Sequence, residues 1–137
     1  MRQPIRILAA TLLALAPLAA SAQAPADIRT ALETEVRRAT PGFTGFSAER
    51  GGQFFAAKHG GNWSCATCHT PDPLATGHHA STGKGIAPLA PAANPHRFTD
   101  AAKVEKWFRR NCNDVLAREC SPAEKGDIVA YLLALKK

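Results

Sequence analysis

Cys65-Ala66-Thr67-Cys68-His69 decides how this 137-residue chain is to be read. Two thiols three positions apart can each add to one of the two vinyl groups of a haem, giving two thioether bonds. The adjacent His69 is then held under the iron, where one imidazole nitrogen can bind it. Covalent attachment keeps the cofactor in a domain this small. The motif has two competitors. A thioredoxin-like redox pair wants a strand before the motif and a βαβ setting, and the residues before Cys65 offer neither. A zinc site could draw on Cys65, Cys68 and His69 with His78 or His79. Neighbouring Cys68 and His69 are poorly disposed to share one tetrahedral ion, however, and the spacing matches no common zinc module. One covalent haem is the expected cofactor.

Toward the N-terminus, Arg2 and Arg6 form a basic end and Ile7 to Ala16 an apolar stretch. Ala20-Ser21-Ala22 then supplies a small-residue cleavage site, so residues 1–22 read as a secretory signal peptide. The apolar stretch is shorter than the roughly 20 residues a bilayer span takes. An uncleaved membrane anchor is the competing reading, and the Ala-x-Ala site favours cleavage. No later segment reads as a membrane span. The mature domain is expected to be residues 23–137, soluble and periplasmic, with room for one core only.

Cleavage removes Arg2 and Arg6, taking the formal charge from +6 to +4. No basic stripe is interleaved with aromatics, so nucleic acid is not an expected partner. A mildly cationic face toward an acidic redox partner suits the charge that is left. Cleavage also removes Met1, the only methionine of the chain. Four cysteines in an exported domain are expected to be bonded, to one another or to a cofactor.

The rest of the chain reads as helices and loops. Asp27 to Ala39 carries Ile28, Leu32 and Val36 on one face, and Pro41-Gly42 ends it. A second helix is expected from near Ser47 to His59, before Gly60-Gly61. Thr70 to Pro95 holds Gly, Pro, Ser and paired His with little periodicity and is expected to be loop. Wrapping a large flat cofactor justifies a loop that long. A third helix begins near Thr99 or Asp100 and turns Val104, Trp107 and Phe108 inward. Ser121-Pro122-Ala123-Glu124 combines a capping box with Pro at the first helical position. Ile128, Leu132 and Leu135 follow as an apolar stripe, and Lys136 and Lys137 suit the negative helix end. No segment alternates as a strand does, so the expected fold class is all-α.

Gly51-x-x-x-Phe55 and Tyr131 resemble the crossed terminal-helix pair of class I cytochromes c, in which a small residue lets two helices approach while aromatics pack beside it. The resemblance implies a class I cytochrome c-like fold wrapped around one haem c, with extended loops. That class normally draws a Met from the loop before its last helix, and this mature chain has none. The candidates for the sixth position are His59, His78, His79, His96 and the asparagines near the last helix. Arg110-Asn111-Cys112-Asn113 is expected between the third helix and the last. Cys112 and Cys120 bracket that segment up to the cap, and in an oxidising compartment they are expected to form a disulfide. So small a ring contributes roughly 2–3 kcal/mol by the chain-entropy estimate. Trp107 and Phe108 are read either as haem-pocket lining or as ordinary helix packing, and Arg109 and Arg110 as propionate partners or a solvated helix end.

Arg97-Phe98-Thr99-Asp100, the run from Lys103 to Val115 and the following Cys120 resemble the sphaeroides haem protein (SHP) type of cytochrome c. The resemblance covers most of the mature chain and is densest from Ile86 onward. It implies an asparagine in place of the distal Met, which by position is Asn111, with Asn113 the alternative, and a Cys112–Cys120 disulfide beside it. It further implies electron acceptance from a redox partner such as a dihaem cytochrome c, and binding of a diatomic gas. An amide is a weak ligand, so Asn111 is expected to let go on reduction and open the iron. The rivals are an oxygen-, NO- or peroxide-handling protein that turns over, and a simple low-spin electron carrier with a histidine distal ligand.

Overall fold

The computed structural model describes residues 23–137, so the signal peptide expected over residues 1–22 lies outside the described residues. Five helices run in order: α1 Pro25–Ala39, α2 Ala48–Ala56, α3 Cys65–His69, α4 Ala101–Leu116 and α5 Pro122–Ala134. Between α3 and α4 lie two short strands, β1 Gly77–His78 and β2 Gly85–Ile86. They pair antiparallel, Gly77 opposite Ile86 and His78 opposite Gly85. The fold is mainly helical as expected, and strands this short leave no alternating pattern to read.

Each helix begins where a side chain satisfies free backbone amides. Asp27 accepts from the Ala24 N–H at 2.9 Å and Pro25 opens α1. Ser47 accepts from the Arg50 N–H at the start of α2, and Asp100 from the Lys103 N–H at the start of α4. Ser64 and Thr67 cap α3 reciprocally. The expected box at α5 is present, with Ser121 N–H donating to Glu124 at 2.7 Å and Glu124 N–H to Ser121 Oγ at 3.2 Å. Two boundaries differ from expectation. α2 stops at Ala56, short of His59. α4 continues past Asn113 to Leu116 and ends at Ala117 in the left-handed region, with φ 55°.

The core is built around α5, which buries Lys125, Gly126, Asp127, Ile128, Val129 and Leu132. It is enclosed on more than one face, so the expected stripe is only part of its contact, and Leu135 sits at the core's edge. Full burial contributes about 1.5–3 kcal/mol for each of Phe55, Ile128, Val129 and Leu132. α2 crosses α5 with almost nothing between the backbones: a Cβ on Gly51 overlaps the Asp127 carbonyl and meets Tyr131 Cβ at 2.9 Å. Phe55 packs beside this crossing with its ring centroid 5.6 Å from that of Tyr131. Asp127 pins the same crossing, accepting from the Ser47 N–H at 2.7 Å and the Arg50 guanidinium at 2.8 and 2.9 Å. α1 lies against α5 as well.

α4 is the least enclosed of the long helices. Only Cys112 on it is buried, while Val104 and Phe108 touch the edge of the core. Cross-links to the start of α5 hold it: the Cys112–Cys120 disulfide with Cα atoms 5.6 Å apart, and the Lys125–Glu105 ion pair.

Candidate haem site

α3 carries the whole Cys65–His69 motif. In a helix, residues three and four apart share a face, so Cys65, Cys68 and His69 lie on one side of α3. Both thiols are free, whereas Cys112 and Cys120 are bonded to each other. Burial pushes the Cys65 thiol up to about 11, so it stays protonated at neutral pH. A thioredoxin-like nucleophile needs the opposite shift. Burial, helped by the charge of Arg97, pulls His69 down to about 4. The imidazole is therefore neutral at pH 7, the form that can bind a metal. The Phe55 ring lies 6.4 Å from it, centroid to centroid.

The chain leaves His69 through Thr70 at φ 61° and ψ 160°, a region almost confined to glycine. Thr70 Oγ1 donates to the Asp72 carbonyl at 2.6 Å and steadies this turn. The β1–β2 hairpin then folds back over α3 so closely that a Cβ on Gly77 overlaps the Cys68 carbonyl. Beyond it the backbone is clasped to two proline carbonyls. That of Pro73 accepts from the Leu89 and Ala90 N–H groups at 3.0 Å. That of Pro88 accepts from Arg97 Nε at 2.9 Å, while Arg97 Nη2 donates to the Ala87 carbonyl at 2.6 Å. The stretch expected to be loop thus contains the short β1–β2 hairpin, and the rest of it is ordered by hydrogen bonds.

Arg97 was not evident as a site residue, although it is the only formally charged residue between Lys84 and Asp100. It is half-buried and has no carboxylate partner among the described residues. A guanidinium in such a place wants an anion. Two free thiols, a neutral imidazole and this guanidinium are the donor set that haem c, with its two vinyl groups, its iron and its two propionates, requires. Leu89, Val104 and Phe108 add half-buried apolar side chains at the edge of the core. Among the described residues no three His, Cys, Asp or Glu side chains converge as a metal cluster needs, so a zinc site has no ligand set here.

Val104, Phe108, Asn111 and Val115 form a half-buried row along α4. Asn111 and Asn113 therefore lie within the helix, which corrects the expectation of a loop between helices. Asn113 is exposed and lines an open pocket with Lys106, Arg109, Arg110 and Glu119. Trp107 sits one residue off the row and is turned outward more than expected, with Arg110 over its ring at 5.7 Å. Arg109 and Arg110 are exposed. Among the histidines, His59 Nε2 lies 2.9 Å from the Phe54 carbonyl and its ring stacks on Phe54. His79 Nδ1 accepts from the Ser81 and Thr82 N–H groups. His78 and His96 are exposed.

Comparison with known proteins agrees with this geometry. Residues 41–132 match the family described as a domain of unknown function, DUF1924. The chain is 52% identical over 91 residues to the cytochrome c-type protein SHP of Cereibacter sphaeroides, covering 64% of this chain and 70% of that protein. It is 48% identical over 83 residues to cytochrome c'' of Methylophilus methylotrophus, covering 61% of this chain and 58% of the relative. The structure of oxidised SHP, an oxygen-binding cytochrome c, superposes with a TM-score of 0.72 at 43% identity, over 83% of this chain and 99% of that one. Oxidised cytochrome c'' gives a TM-score of 0.73 at 38% identity, over 82% and 95%. The solution structure of cytochrome c'', which bears on haem-ligand detachment, gives 0.73 at 39% identity, over 82% and 94%. Two thiols on α3, a close helix crossing permitted by Gly51 and these relatives lead to one conclusion: the chain belongs to the DUF1924 family and is a monohaem c-type cytochrome of the SHP and cytochrome c'' type, with haem c as its cofactor.

Proposed function

We propose that this cytochrome works in the periplasm, accepts electrons and binds a diatomic ligand, O₂ or NO, at an iron that Asn111 releases on reduction. In this reading residues 1–22 are a signal peptide removed on export and residues 23–137 are the cytochrome domain. Cys65 and Cys68 carry the haem, His69 is the proximal ligand and Asn111 the distal one. Held by Cys65, Cys68 and His69, the haem would supply a redox-active iron able to take a small ligand.

The observation that carries the reading is the placement of Asn111. It lies half-buried on the inward row of α4, and among the described residues its carboxamide makes no side-chain hydrogen bond. The next residue, Cys112, is cross-linked to Cys120, so the backbone is fixed while the Asn111 side chain keeps its own rotation. A neutral amide is a weak donor, tolerable to ferric iron and poorer for the electron-rich ferrous ion. Once free, its N–H can donate a hydrogen bond to a small ligand. The histidines are less suited: His59 and His79 are tied to backbone groups, and His78 and His96 face outward. That SHP is an oxygen-binding cytochrome c, and that ligand detachment is a concern in cytochrome c'', supports the same reading. The electron donor is a redox protein such as a dihaem cytochrome c. Lys106, Arg109 and Arg110, exposed on α4, suit an acidic face on it.

The test is the visible spectrum of the chemically reduced protein with and without carbon monoxide. A high-spin reduced spectrum that shifts with CO supports the open iron. A sharp low-spin spectrum that CO leaves unchanged overturns it, and makes the chain an electron carrier with a firmly held histidine.

A further inference from the structure

We infer that the exported protein carries an N-terminal pyroglutamate at residue 23, formed by cyclisation of Gln23. The inference rests on the proposed cleavage after Ala22, which makes Gln23 the first residue of the mature chain. Gln23 is already docked. Its backbone N–H donates to the Thr99 carbonyl at 3.1 Å, and its side-chain Oε1 accepts from the Ala101 N–H at 3.2 Å. Thr99 and Ala101 flank Asp100, the cap of α4, so one residue's nitrogen and amide oxygen grip the chain on both sides of that cap.

A five-membered lactam holds its N–H and its C=O side by side in cis, an arrangement that can serve both of these hydrogen bonds at once. In the cyclisation the Gln23 α-amine nitrogen attacks its own Cδ. The N–Cδ bond forms, the Cδ–Nε2 bond breaks, one amine proton passes to the leaving nitrogen, and ammonia departs. No oxidant or further reactant enters. The product keeps one N–H for Thr99 and keeps Oε1 for Ala101. It loses Nε2, which makes no hydrogen bond among the described residues, and it loses the terminal positive charge. That charge would otherwise sit beside the first turn of α4, where the helix dipole is also positive. The lactam thereby fastens the start of α1 to the helix that carries Asn111 and leaves no free terminal amine.

The first measurement is the intact mass of the haem-loaded protein, exported from its full-length gene and weighed before any digestion. The expected mass is that of residues 23–137 with one haem, less the two hydrogens of the Cys112–Cys120 disulfide and less one ammonia. The full mass without that loss overturns the inference and leaves the cleavage site standing. A mass that fits another first residue overturns both. Gln23→Ala is expected to keep a free α-amine, so its N-terminal peptide takes an amine-reactive label at residue 23, whereas the parent's N-terminal peptide stays unlabelled there. Hydrogen exchange at the Ala101 amide then tests the docking. Exchange severalfold slower in the parent than in Gln23→Ala supports it, and equal rates overturn it.

Discussion

The Lys125 ammonium on α5 donates to both carboxylate oxygens of Glu105 on α4, at 2.8 and 2.9 Å. The pair is lopsided, with the lysine side chain 10% exposed and the glutamate 47%. Together with the Cys112–Cys120 disulfide it fastens α4, which shares little other packing with the core, at points on both sides of Phe108. The orientation of the row that ends in Asn111 and Val115 therefore depends on cross-links more than on buried area.

Because only Lys125 is desolvated, its two partners are not equivalent. Glu105→Gln leaves a buried ammonium without its counter-ion and is expected to cost about 1–3 kcal/mol. Lys125→Met keeps the packing and releases Glu105 to water, and is expected to fall within about 1 kcal/mol of the parent. Denaturant midpoints of the haem-loaded protein measure both, and equal losses would contradict the asymmetry.

The crossing of α2 and α5 makes a second contrast. A methyl group on Gly51 runs into the Asp127 carbonyl and the Tyr131 Cβ, neither of which can swing away, and Gly51→Ala is expected to cost about 1–3 kcal/mol by forcing the helices apart. At Gly52 the nearest atoms belong to the Tyr131 ring at 3.2 Å, which can tilt. Gly52→Ala is expected to lose much less, and thermal unfolding of the two variants decides.

That crossing was legible because close approach leaves a mark in sequence: a glycine four residues before a phenylalanine, answered by Tyr131. Capping chemistry was legible for the same reason, since Ser121 and Glu124 act within one turn. The extent of α4 was not. Asn111, Cys112 and Asn113 have low helix propensity; the Cys112–Cys120 disulfide was legible, but that it closes on a helix running through these residues, and that Lys125 pairs with Glu105 twenty residues away, appears nowhere in local pattern. Arg97 was hidden in another way. Its partners are the Ala87 and Pro88 carbonyls, and backbone acceptors have no sequence signature. The β1–β2 hairpin depends on Gly77 fitting against Cys68, a contact across a loop that carries no periodicity.

Acid should expose the Arg118–Glu124 pair. Hydrogen bonds from Arg118, aided by those from Ser121, hold the Glu124 carboxyl down to about 2. A group with a lowered folded pKa stabilises the protein above its unfolded value near 4.3, and that stability disappears as pH falls toward the folded value. The Arg118 side chain is 54% exposed, so water screens the pair and the contribution is expected to be about 1 kcal/mol. Unfolding free energy measured between pH about 5 and 2 should fall less steeply in Glu124→Gln than in the parent. Identical slopes would show that the pair carries no pH-dependent stability.

Asn111 and Asn113 lie two positions apart on one helix, and helical geometry makes them a matched test. Two residues advance the helix by roughly 200°, so one faces the half-buried row while the other faces the open pocket. Asn111→Ala is expected to give a ferric iron that is vacant or water-bound, with the haem still attached through Cys65 and Cys68. Asn113→Ala is expected to leave the ferric spectrum unchanged. Opening the ring with Cys112→Ser and Cys120→Ser together should cost roughly 2–3 kcal/mol of stability. It should also loosen the backbone beside Asn111, so that part of the ferric population loses its sixth ligand before any reduction. Electronic and paramagnetic resonance spectra of the ferric proteins read all three variants. An Asn111→Ala spectrum indistinguishable from the parent's would remove Asn111 from the iron, and a changed Asn113→Ala spectrum would put the other asparagine in its place.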